Sequence, residues 1–473
     1  MLVSQLFSGA DFSREIKDKE IINITDNSQN CCEGSIFVCH SSGEKYVKEA
    51  LEKGAVLVVA ETKLTENCYV TEDTAREYAR LSAEFFGDRH RNLKLIAVTG
   101  TNGKTTTANM IYTILTLSGK KCGLIGTVKS NICGEETLSS LSTPDPFEMH
   151  SMFSRLYEWG AEYCIVEASS QGISEGRLSG LGFYMTVLTN ISRDHLDYHG
   201  TMENYIESKK SIFPLSDKAV INIDDVCCEE FISACRGKVI TYSLDKNEAD
   251  YISKSIKLRE DGSDYAVIAD YAIHRIKLSV PGDFNILNSL AAIAAARECD
   301  VSLEFCAYAL KSFGGVKGRM EILSTDTDYK VIIDYAHTPD ALKKVLLCLG
   351  SFPHNRVITV FGCGGERDKE KRSMMGNIAS QLSDILVITS DNPRGEEPMK
   401  IIDDILSGVR KGKKTVYIHE NRRKAIEYAL KIAQKNDIIL LAGKGHETYQ
   451  LLGDEKIPMD EREIVREILG AQV

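Results

Sequence analysis

The chain has 473 residues, of which 43% are hydrophobic and 26% are charged, and its formal net charge is −11. This length and composition predict about three globular domains. The negative charge argues against nucleic acid or an anionic membrane as a partner, because both bind basic surfaces. No run approaches the ~20 apolar residues of a membrane span, and the first residues lack a signal-peptide pattern, so we expect a cytoplasmic protein.

The 14 cysteines occur singly or as adjacent pairs, such as Cys31-Cys32 and Cys227-Cys228. No pair has the C-x-x-C spacing of a zinc or redox site. Adjacent cysteines cannot easily share one tetrahedral metal or bridge each other. We therefore expect reduced thiols.

In chain order, the patterns predict an α/β fold in three domains. Residues 1–88 read as a small α/β module, with strands at 35–39 and 55–60 around a helix at 45–53. Residues 89–325 alternate strands and helices, which is typical of a mostly parallel sheet. Their strands are at 94–98, 122–128, 163–168, 185–190, 219–223 and 239–243, and residues 251–280 read as two longer strands. Residues 326–473 restart the alternation, with strands at 331–335, 357–361, 385–390, 415–418 and 438–442, and predict a doubly wound, Rossmann-like domain.

The most informative segment is a Gly-rich turn between an apolar strand and a helical pattern at 105–117. It reads Gly100-Thr101-Asn102-Gly103-Lys104-Thr105-Thr106. Such a turn aims backbone N–H groups and a helix N-terminus at an anion. In the usual loop, the lysine reaches the β- and γ-phosphates and the hydroxyl holds Mg²⁺. The usual first glycine is replaced by Val98, so this is a compact variant. It predicts ATP binding; the alternative is a plain turn with a solvated lysine.

Three polar motifs follow separate strands of the third predicted domain. Arg367 follows the second strand, Asp391-Asn392-Pro-Arg394 the third, and Gly443-Lys-Gly-His-Glu447 the last. Ligands of open parallel sheets bind beyond the carboxyl ends of the strands, so these segments should converge. The arginines can hold a carboxylate and the acidic side chains an ammonium. The pattern indicates a site for a free amino acid, although such loops can also merely cap strands.

The second predicted domain offers a further pair of polar side chains at strand ends. Glu167 ends the strand at 163–168, and His195 follows the strand at 185–190. Both lie beside the phosphate loop and are candidate Mg²⁺ ligands, although Mg²⁺ prefers oxygen. A lone histidine is more often structural.

These motifs together resemble the Mur ligases, and among them the MurE type, over roughly residues 92–455. The shared segments are Gly100-Thr-Asn-Gly-Lys-Thr, Ser142-Thr-Pro-Asp-Pro146, Glu167-Ala-Ser-Ser, Asn190-Ile-Ser-Arg-Asp-His-Leu-Asp-Tyr-His-Gly200, Gly282-Asp-Phe-Asn-Ile-Leu-Asn288, Gly318-Arg319-Met-Glu321, Asp334-Tyr-Ala-His-Thr-Pro-Asp340, Asp391-Asn-Pro-Arg394 and Gly443-Lys-Gly-His-Glu447. The resemblance implies ATP-dependent amide synthesis in peptidoglycan assembly. The γ-carboxylate of a UDP-N-acetylmuramoyl dipeptide would become an acyl phosphate, and an amino acid would then displace the phosphate.

The resemblance also implies roles for individual residues. Lys104, Lys209, His195 and Glu167 would be catalytic, and Thr105, Glu167, His195 and Lys209 would hold Mg²⁺, with Lys209 carbamylated. ATP would meet the phosphate loop together with Asn288, Arg319, Asp334 and His337. The nucleotide-linked dipeptide would contact Ser28, Ser142, Thr143, Ser169 and Arg177. The amino acid, meso-diaminopimelate, would contact Arg367, Asp391, Asn392, Arg394, Gly443 and Glu447. We expect a monomer whose other partners are these small molecules.

Several positions depart from the family pattern. The uridine motif Asp-Ser-Arg is replaced by Asn27-Ser28-Gln29, Gln171 stands where histidine is usual, and Lys317 replaces a common proline. A paralogue that uses another amino acid, such as L-lysine, or another acceptor is therefore an alternative. Folylpolyglutamate synthetases share the loop but would not explain Asp391-Asn-Pro-Arg394. A non-catalytic nucleotide-binding regulator is a third alternative, against which the intact Lys104, Glu167, His195 and Lys209 argue.

Overall fold

The computed structural model describes residues 1–10, 12–139, 141–270, 272–410 and 415–470. Three large sheets follow one another along the chain, each flanked by helices, and a small two-stranded hairpin lies near the end. The α/β class predicted from the sequence is confirmed. Within these ranges no helix has the length and apolar character needed to cross a membrane.

The first sheet has four parallel strands. Two of them were predicted from the sequence, and each of these is flanked by a further strand that was not. In spatial order they are Asn23–Thr25, Ser35–Val38, Ala55–Ala60 and Cys68–Val70. The helices beside them are Val3–Leu6, Arg14–Lys17, Val47–Glu52 and Thr74–Phe85, with short 3₁₀ turns at Ser28–Asn30, Glu44–Tyr46 and Arg89–Asn92. The predicted helix at 45–53 is thus a 3₁₀ turn followed by a short α-helix.

The second sheet has eleven strands and carries the phosphate loop near its middle. In spatial order they are Ala272–Leu278, Gly262–Ala269, Tyr251–Arg259, Lys238–Ser243, Lys218–Asn222, Met185–Leu188, Lys94–Thr99, Tyr163–Glu167, Cys122–Ile125, Lys129–Ile132 and Glu135–Leu138. The strands from Tyr251–Arg259 through to Cys122–Ile125 run parallel, and both ends of the sheet are antiparallel.

Two predictions for this sheet were wrong. The segment 251–280 forms three strands rather than two, because a second reversal occurs at Asp270, whose φ is +51°. The strand predicted at 122–128 ends at Ile125, and the chain continues as the antiparallel pair Lys129–Ile132 and Glu135–Leu138. Glu135–Leu138 is fully exposed and polar, so it carries no alternating apolar signal.

The helices of this region are Lys104–Leu117, Pro146–Glu158, Ser170–Ser174, Leu196–His199, Met202–Lys210, Cys228–Ala234, Asp283–Arg297 and Leu303–Lys311, with a 3₁₀ turn at Phe213–Leu215. Lys104–Leu117 packs against Asp283–Arg297. The alanines at 291, 292 and 294–296 in the second helix are completely buried. Their small side chains allow the two helices to approach closely, which brings the start of Asp283–Arg297 next to the phosphate loop.

The third sheet has six strands and helices on both faces, as the doubly wound prediction required. In spatial order the strands are Glu321–Ile322, Lys330–Asp334, Ile438–Ala442, Val357–Phe361, Ile385–Ile388 and Thr415–Ile418. Only the first is antiparallel. Helices Pro339–Gly350, Glu370–Leu382 and Pro398–Ser407 cover one face, and Arg422–Ile432 and Glu461–Leu469 cover the other. The hairpin Tyr449–Leu452 and Glu455–Pro458 follows the last parallel strand.

A buried ion pair joins the two helices on the second face. The Arg422 guanidinium donates to Glu461 at 2.8 Å and to the carbonyl of Ala442, the last residue of a central strand, at 2.7 Å. Both charged side chains are fully buried. Each charge depends on the other because neither reaches water.

Arg422→Met should lower the free energy of unfolding by about 3–5 kcal/mol, because Glu461 would keep a buried charge without its partner. Arg423→Met is the matched control, since Arg423 lies next along the same helix and pairs with Glu467 on the exposed surface. That change should cost at most about 1 kcal/mol. Urea unfolding curves measure both, and equal midpoint shifts would contradict the importance of the buried pair.

Candidate active site

Close backbone packing shapes the phosphate loop. Its strand ends at Thr99, its helix begins at Lys104, and Gly100 and Gly103 have φ values of +139° and +87°. A Cβ on Gly100 would lie 2.0 Å from the Thr189 hydroxyl, and one on Gly103 would lie 2.3 Å from Oδ1 of Asn288. Both positions therefore need glycine for conformation and for space.

Two lysine ammonium groups meet at this loop. Lys104 Nζ donates to the carbonyls of Gly100 and Thr101 at 3.0 and 2.8 Å, and Lys209 Nζ donates to the Gly100 carbonyl at 2.8 Å. Burial lowers the pKa of Lys104. Burial, together with the charge of Lys104, lowers the pKa of Lys209 well below its usual value. Such a concentration of donors is suited to an anion.

Oxygen atoms that could ligate a metal cluster directly behind the loop, around the completely buried Glu167. Thr105 Oγ1 donates to Glu167 Oε2 at 2.8 Å. The Thr127 hydroxyl and backbone N–H donate to the two carboxylate oxygens at 2.8 and 2.9 Å. The predicted pair Thr105 and Glu167 is thus in direct contact, and a hydroxyl beside a carboxylate is the kind of donor set that Mg²⁺ accepts.

His195 lies on the loop that follows Met185–Leu188, at a φ of +54°. Its Nε2 is 3.3 Å from Oδ2 of Asp194, and Nε2 of His337 is 3.6 Å from the same oxygen. Burial lowers the pKa of His195 to about 4, so its ring is neutral at pH 7. Burial would raise the pKa of Asp194, but the hydrogen bond from His337 and the surrounding positive charges lower it instead. In the described part of the chain, no three His, Cys, Asp or Glu side chains are grouped to hold a metal.

Two cavities adjoin the loop, and four of the predicted residues line both of them: Asn102, Gly103, Thr106 and Arg319. The first, of about 220 Å³, is lined by Asn102, Gly103, Thr106, Asn288, Arg319 and Asp334. The second, of about 200 Å³, is lined by Thr101, Lys104, Thr105, Ser142, Ser169, Arg177, His195 and His337. Sequence reasoning missed Phe284, Asn285 and Tyr335, which also line the first cavity. All three lie inside motifs it had recognised, next to the residues it chose.

Arg319 and Asp334 lie where the second and third sheets meet. The Arg319 guanidinium lies 4.4 Å above the ring of Tyr335, and its Nη2 is 3.4 Å from the Thr105 hydroxyl. Asp334 accepts hydrogen bonds from the backbone N–H groups of Met320 and Ala336, both at 2.7 Å. Burial raises the pKa of Asp334. Arg319 therefore reaches the loop, while the Asp334 carboxylate holds the surrounding backbone.

Three of the residues predicted for the acceptor line the second cavity, namely Ser142, Ser169 and Arg177. Thr143 Oγ1 is 3.0 Å from Ser169 Oγ, and Arg177 donates to the Thr143 carbonyl at 2.6 Å. Thr143 itself is completely buried, so it supports the wall behind Ser169. Gln171, the departure from the family pattern, also lines this cavity and donates to Glu175 at 2.8 Å.

Ser28 is not among the lining residues of either cavity beside the loop. Its hydroxyl donates to Oε2 of Glu49 at 2.6 Å, within the first sheet region. The neighbouring Asn27 side chain accepts from the backbone N–H of Gln29 at 2.9 Å and so caps a short 3₁₀ turn. The altered uridine motif therefore has its own local structure.

The expected convergence at the edge of the third sheet takes place. Asn392 Nδ2 donates to Glu447 Oε2 at 2.9 Å, and a Cβ on Gly443 would lie 2.4 Å from Oδ2 of Asp391. Arg394 has a φ of +52° and its Nη1 donates to the Gly365 carbonyl at 2.8 Å. Loops that follow three different strands are thus joined by side-chain contacts.

Arg367 lies beside Arg394 but has a different partner. A Cβ on Gly364 would be 3.0 Å from Nη1 of Arg394 and 3.7 Å from Cγ of Arg367, so the two side chains flank one glycine. The guanidinium of Arg367, however, pairs with Asp197 at 3.2 Å. That carboxylate belongs to the second sheet's region, in the short helix Leu196–His199 that directly follows His195, so Arg367 links two regions in this conformation.

A second contact joins the same two regions, but here the arginine belongs to the second sheet's region and the carboxylates belong to the third. Arg193 Nε donates to Asp368 at 2.8 Å and its Nη2 donates to Glu370 at 2.7 Å. The side chain of Asp368 is almost completely buried. The loop that carries Arg367 and Asp368, at the edge of the third sheet, is therefore tied to the loop that carries His195.

Comparison with known proteins agrees with this architecture. The Mur ligase middle domain matches residues 98–296, and the Mur ligase glutamate ligase domain matches residues 318–445. The chain belongs to the Mur ligase family.

Among its relatives is a UDP-N-acetylmuramoyl-L-alanyl-D-glutamate--2,6-diaminopimelate ligase of Clostridium acetobutylicum. The two are 41% identical over 461 residues, which is 95% of each chain. A solved structure of a ligase with the same name is 31% identical and has a TM-score of 0.68, covering 100% of this chain and 99% of that one. The MurF ligase of Thermotoga maritima in complex with ADP is 20% identical, with a TM-score of 0.66 and coverage of 95% and 97%, and so shares the fold.

Gly103→Ala should abolish nucleotide binding, because its methyl group would collide with Asn288 inside the first cavity. Gly119→Ala is the matched control: Gly119 follows the same helix at its other end, has the same φ of +87°, and has no atom within 4 Å of its would-be Cβ. Each change carries a backbone cost of about 1–2 kcal/mol. Calorimetric titration with ADP should show loss of binding in the first variant only, and equal affinities would contradict this view of the loop.

Proposed function

We propose that this Mur ligase joins meso-diaminopimelate to UDP-N-acetylmuramoyl-L-alanyl-D-glutamate with hydrolysis of ATP to ADP and phosphate. The observation that carries the proposal is the pairing of a lysine-rich phosphate loop with a cluster of both charge signs at the edge of the third sheet. The names of the relatives at about 40% identity agree with it. The alternatives are a paralogue that uses another amine or acceptor, and a nucleotide-binding regulator.

The chemistry proceeds in two displacements. A carboxylate oxygen of the D-glutamate residue attacks the γ-phosphorus of ATP, and the bond to ADP breaks. The amine then attacks the carbonyl carbon of the acyl phosphate, and phosphate leaves with the oxygen that came from the carboxylate. Lys104 and Arg319 balance the charge that moves between these groups, while the cavity walls align them. Such reactions depend on positioning and charge neutralisation more than on covalent help.

Mg²⁺ fits the oxygen donors of Thr105 and Glu167, and when bound it would neutralise phosphate charge. We assign His195 and Lys209 to a second metal position. In this assignment the second cavity receives the dipeptide end of the acceptor, through Ser142, Ser169 and Arg177. The first cavity, with Asn288, receives the adenine.

For the remaining parts of the proposal, residues 1–88, including Ser28, would receive the uridine end. Residues 89–325 would bind ATP and residues 326–473 the amino acid. We also propose that the protein acts as a monomer. The cytoplasm, where ATP and nucleotide-linked precursors are available, is the expected compartment.

Lys209 is proposed to act as a carbamate. Its low pKa favours the neutral amine, which can attack CO₂ to form an anionic carbamate and release a proton. An anion at this position would bind Mg²⁺, whereas an ammonium would be repelled.

Lys209→Ala should therefore reduce turnover at least 100-fold, and acetate or propionate should partly restore it by supplying the missing carboxylate. Lys210→Ala is the control, because Lys210 is adjacent but points outward to Glu207. Phosphate release with and without each acid measures the rescue. A Lys209→Ala enzyme that is inactive and insensitive to both acids would contradict carbamylation.

The amino-acid preference rests on Arg394 and Glu447. Diaminopimelate carries a carboxylate and an ammonium at its far end, whereas lysine carries only the ammonium. Arg394 lies against the Gly365 carbonyl with its guanidinium directed along the loop edge, and Glu447 lies on the adjoining loop. A site built around polar pairs rejects an analogue that leaves one of them unsatisfied by about 10⁴-fold or more.

Phosphate release measured with a panel of amines should show a strong preference for meso-diaminopimelate over L-lysine in kcat/KM. Arg394→Ala should remove most of that preference, because the distal carboxylate loses its partner. Release that depends on lysine equally well would contradict the assigned substrate but leave the ligase in place. Release that no amine stimulates would favour the regulator.

A further inference from the structure

Lys444 is a buried cation that the proposed reaction does not use directly. It follows the strand Ile438–Ala442, and its side chain is completely buried. The glycines on either side have φ values of +112° and +53°. A Cβ on Gly445 would lie 2.6 Å from Cβ of Tyr335 and one on Gly443 would collide with Asp391, so the backbone here is tightly enclosed. This confined turn directs the lysine inward rather than to solvent.

The ammonium of Lys444 lies between two residues of the amino-acid edge. Nζ donates to Oδ1 of Asn392 at 2.7 Å and to Oε2 of Glu447. It also lies 5.3 Å from the centre of the Tyr449 ring. These three contacts thus come from the loop that follows Ile385–Ile388, from the loop that carries Lys444 itself, and from the hairpin Tyr449–Leu452 and Glu455–Pro458.

These contacts fix the orientation of the Asn392 amide. Oδ1 accepts from Lys444 Nζ and from the backbone N–H of Leu451, the latter at 3.0 Å. An ammonium and a backbone N–H can only donate, so the oxygen must face them and the NH₂ group must face away. That NH₂ group donates to Glu447 Oε2 at 2.9 Å. The oxygen of the Asn392 side chain therefore has both of its acceptor positions occupied, and one of its two N–H groups is bonded to Glu447.

One oxygen of Glu447 is left for a ligand. The side-chain hydrogen bonds that Glu447 accepts within the described residues both end on Oε2, from Asn392 and Lys444. Oε1 is the remaining acceptor, and we assign it to the substrate ammonium. Lys444 and Asn392 together hold the carboxylate in one orientation.

Lys444 also offsets the charge of Glu447, because its ammonium pairs directly with Oε2 of that carboxylate. Removal of the ammonium would leave one more uncompensated negative charge in this region, which disfavours the binding of a carboxylate.

We propose that Lys444 is a positioning residue that sets amino-acid specificity, by orienting Glu447 through Asn392 and by cancelling one negative charge beside the substrate's distal carboxylate. The proposal rests on the proposed function, since it takes diaminopimelate as the substrate. Lys444 acts through Glu447 and has no direct role at the reacting atoms.

Lys444→Met replaces the lysine by an unbranched side chain that is one atom shorter and uncharged. It should raise the KM for diaminopimelate at least 10-fold, lower the preference for diaminopimelate over lysine at least 10-fold, and leave the KM for ATP within twofold. Lys456→Met is the matched control, because Lys456 contacts the same Tyr449 ring from the exposed hairpin at 4.7 Å. It should change none of these values. An unchanged preference in folded Lys444→Met enzyme would overturn the proposal.

A double-mutant cycle with Glu447→Gln separates positioning from general support of the fold. If Lys444 acts through Glu447, Lys444→Met should change the KM for the amine less than twofold in the Glu447→Gln background. An equal loss in both backgrounds would overturn the proposal. Lys444→Gln, which retains a donor without the charge, takes the place of Lys444→Met if thermal unfolding shows that the methionine variant does not fold.

The same cycle distinguishes this inference from the proposed function. If the wild-type enzyme prefers another amine, the assigned substrate is wrong, and the cycle is measured with the preferred amine. If the effects of the two substitutions on the KM for that amine are coupled, the positioning role of Lys444 stands. If the two effects are additive, that role is overturned as well.

Discussion

The concentration of positive charge around the carbonyl of Gly100 is the constraint on which the rest of the site depends. Two buried ammonium groups, those of Lys104 and Lys209, share this one oxygen. Buried charges are expensive unless they are paired, so the region is best satisfied when it holds anions. In the proposed function, phosphate supplies them for Lys104, and a carbamate would place an anion on Lys209. Against the effect of burial, Glu167 and Asp194 raise the pKa of Lys104, and Asp194 also raises that of Lys209.

The edge of the third sheet, where we propose that the amino acid binds, differs from the phosphate loop. Two of its buried cations are already paired with carboxylates, Arg422 with Glu461 and Lys444 with Glu447. Few groups need to move when a zwitterion arrives, and preorganisation of this kind improves both affinity and alignment. The ion pair between Arg193 and Asp368 connects this edge to the loop that carries His195. Side chains from the regions of the second and third sheets thus link the phosphate loop to the proposed amino-acid site.

Most of the fold and much of the site could be predicted from local patterns. The phosphate loop and the parallel strands have strong signals, because buried strands are continuous apolar runs and turns need particular residues. The strand Glu135–Leu138 is exposed and had no such signal. Arg367 was expected on a substrate, but its contact with Asp197 depends on how two sheets meet, which no local pattern contains. The burial of Lys444 was not predicted, because nothing in a lysine between two glycines indicates a buried side chain.

The central claim is that the acceptor carboxylate is activated as an acyl phosphate before the amine attacks. Transfer of ¹⁸O tests it most directly. Acceptor labelled with ¹⁸O in the D-glutamate γ-carboxylate is turned over with ATP and meso-diaminopimelate, and the released phosphate is analysed by mass spectrometry. The account predicts one ¹⁸O atom in each phosphate released from fully labelled acceptor. Unlabelled phosphate, formed at the same rate as the amide product, would contradict it.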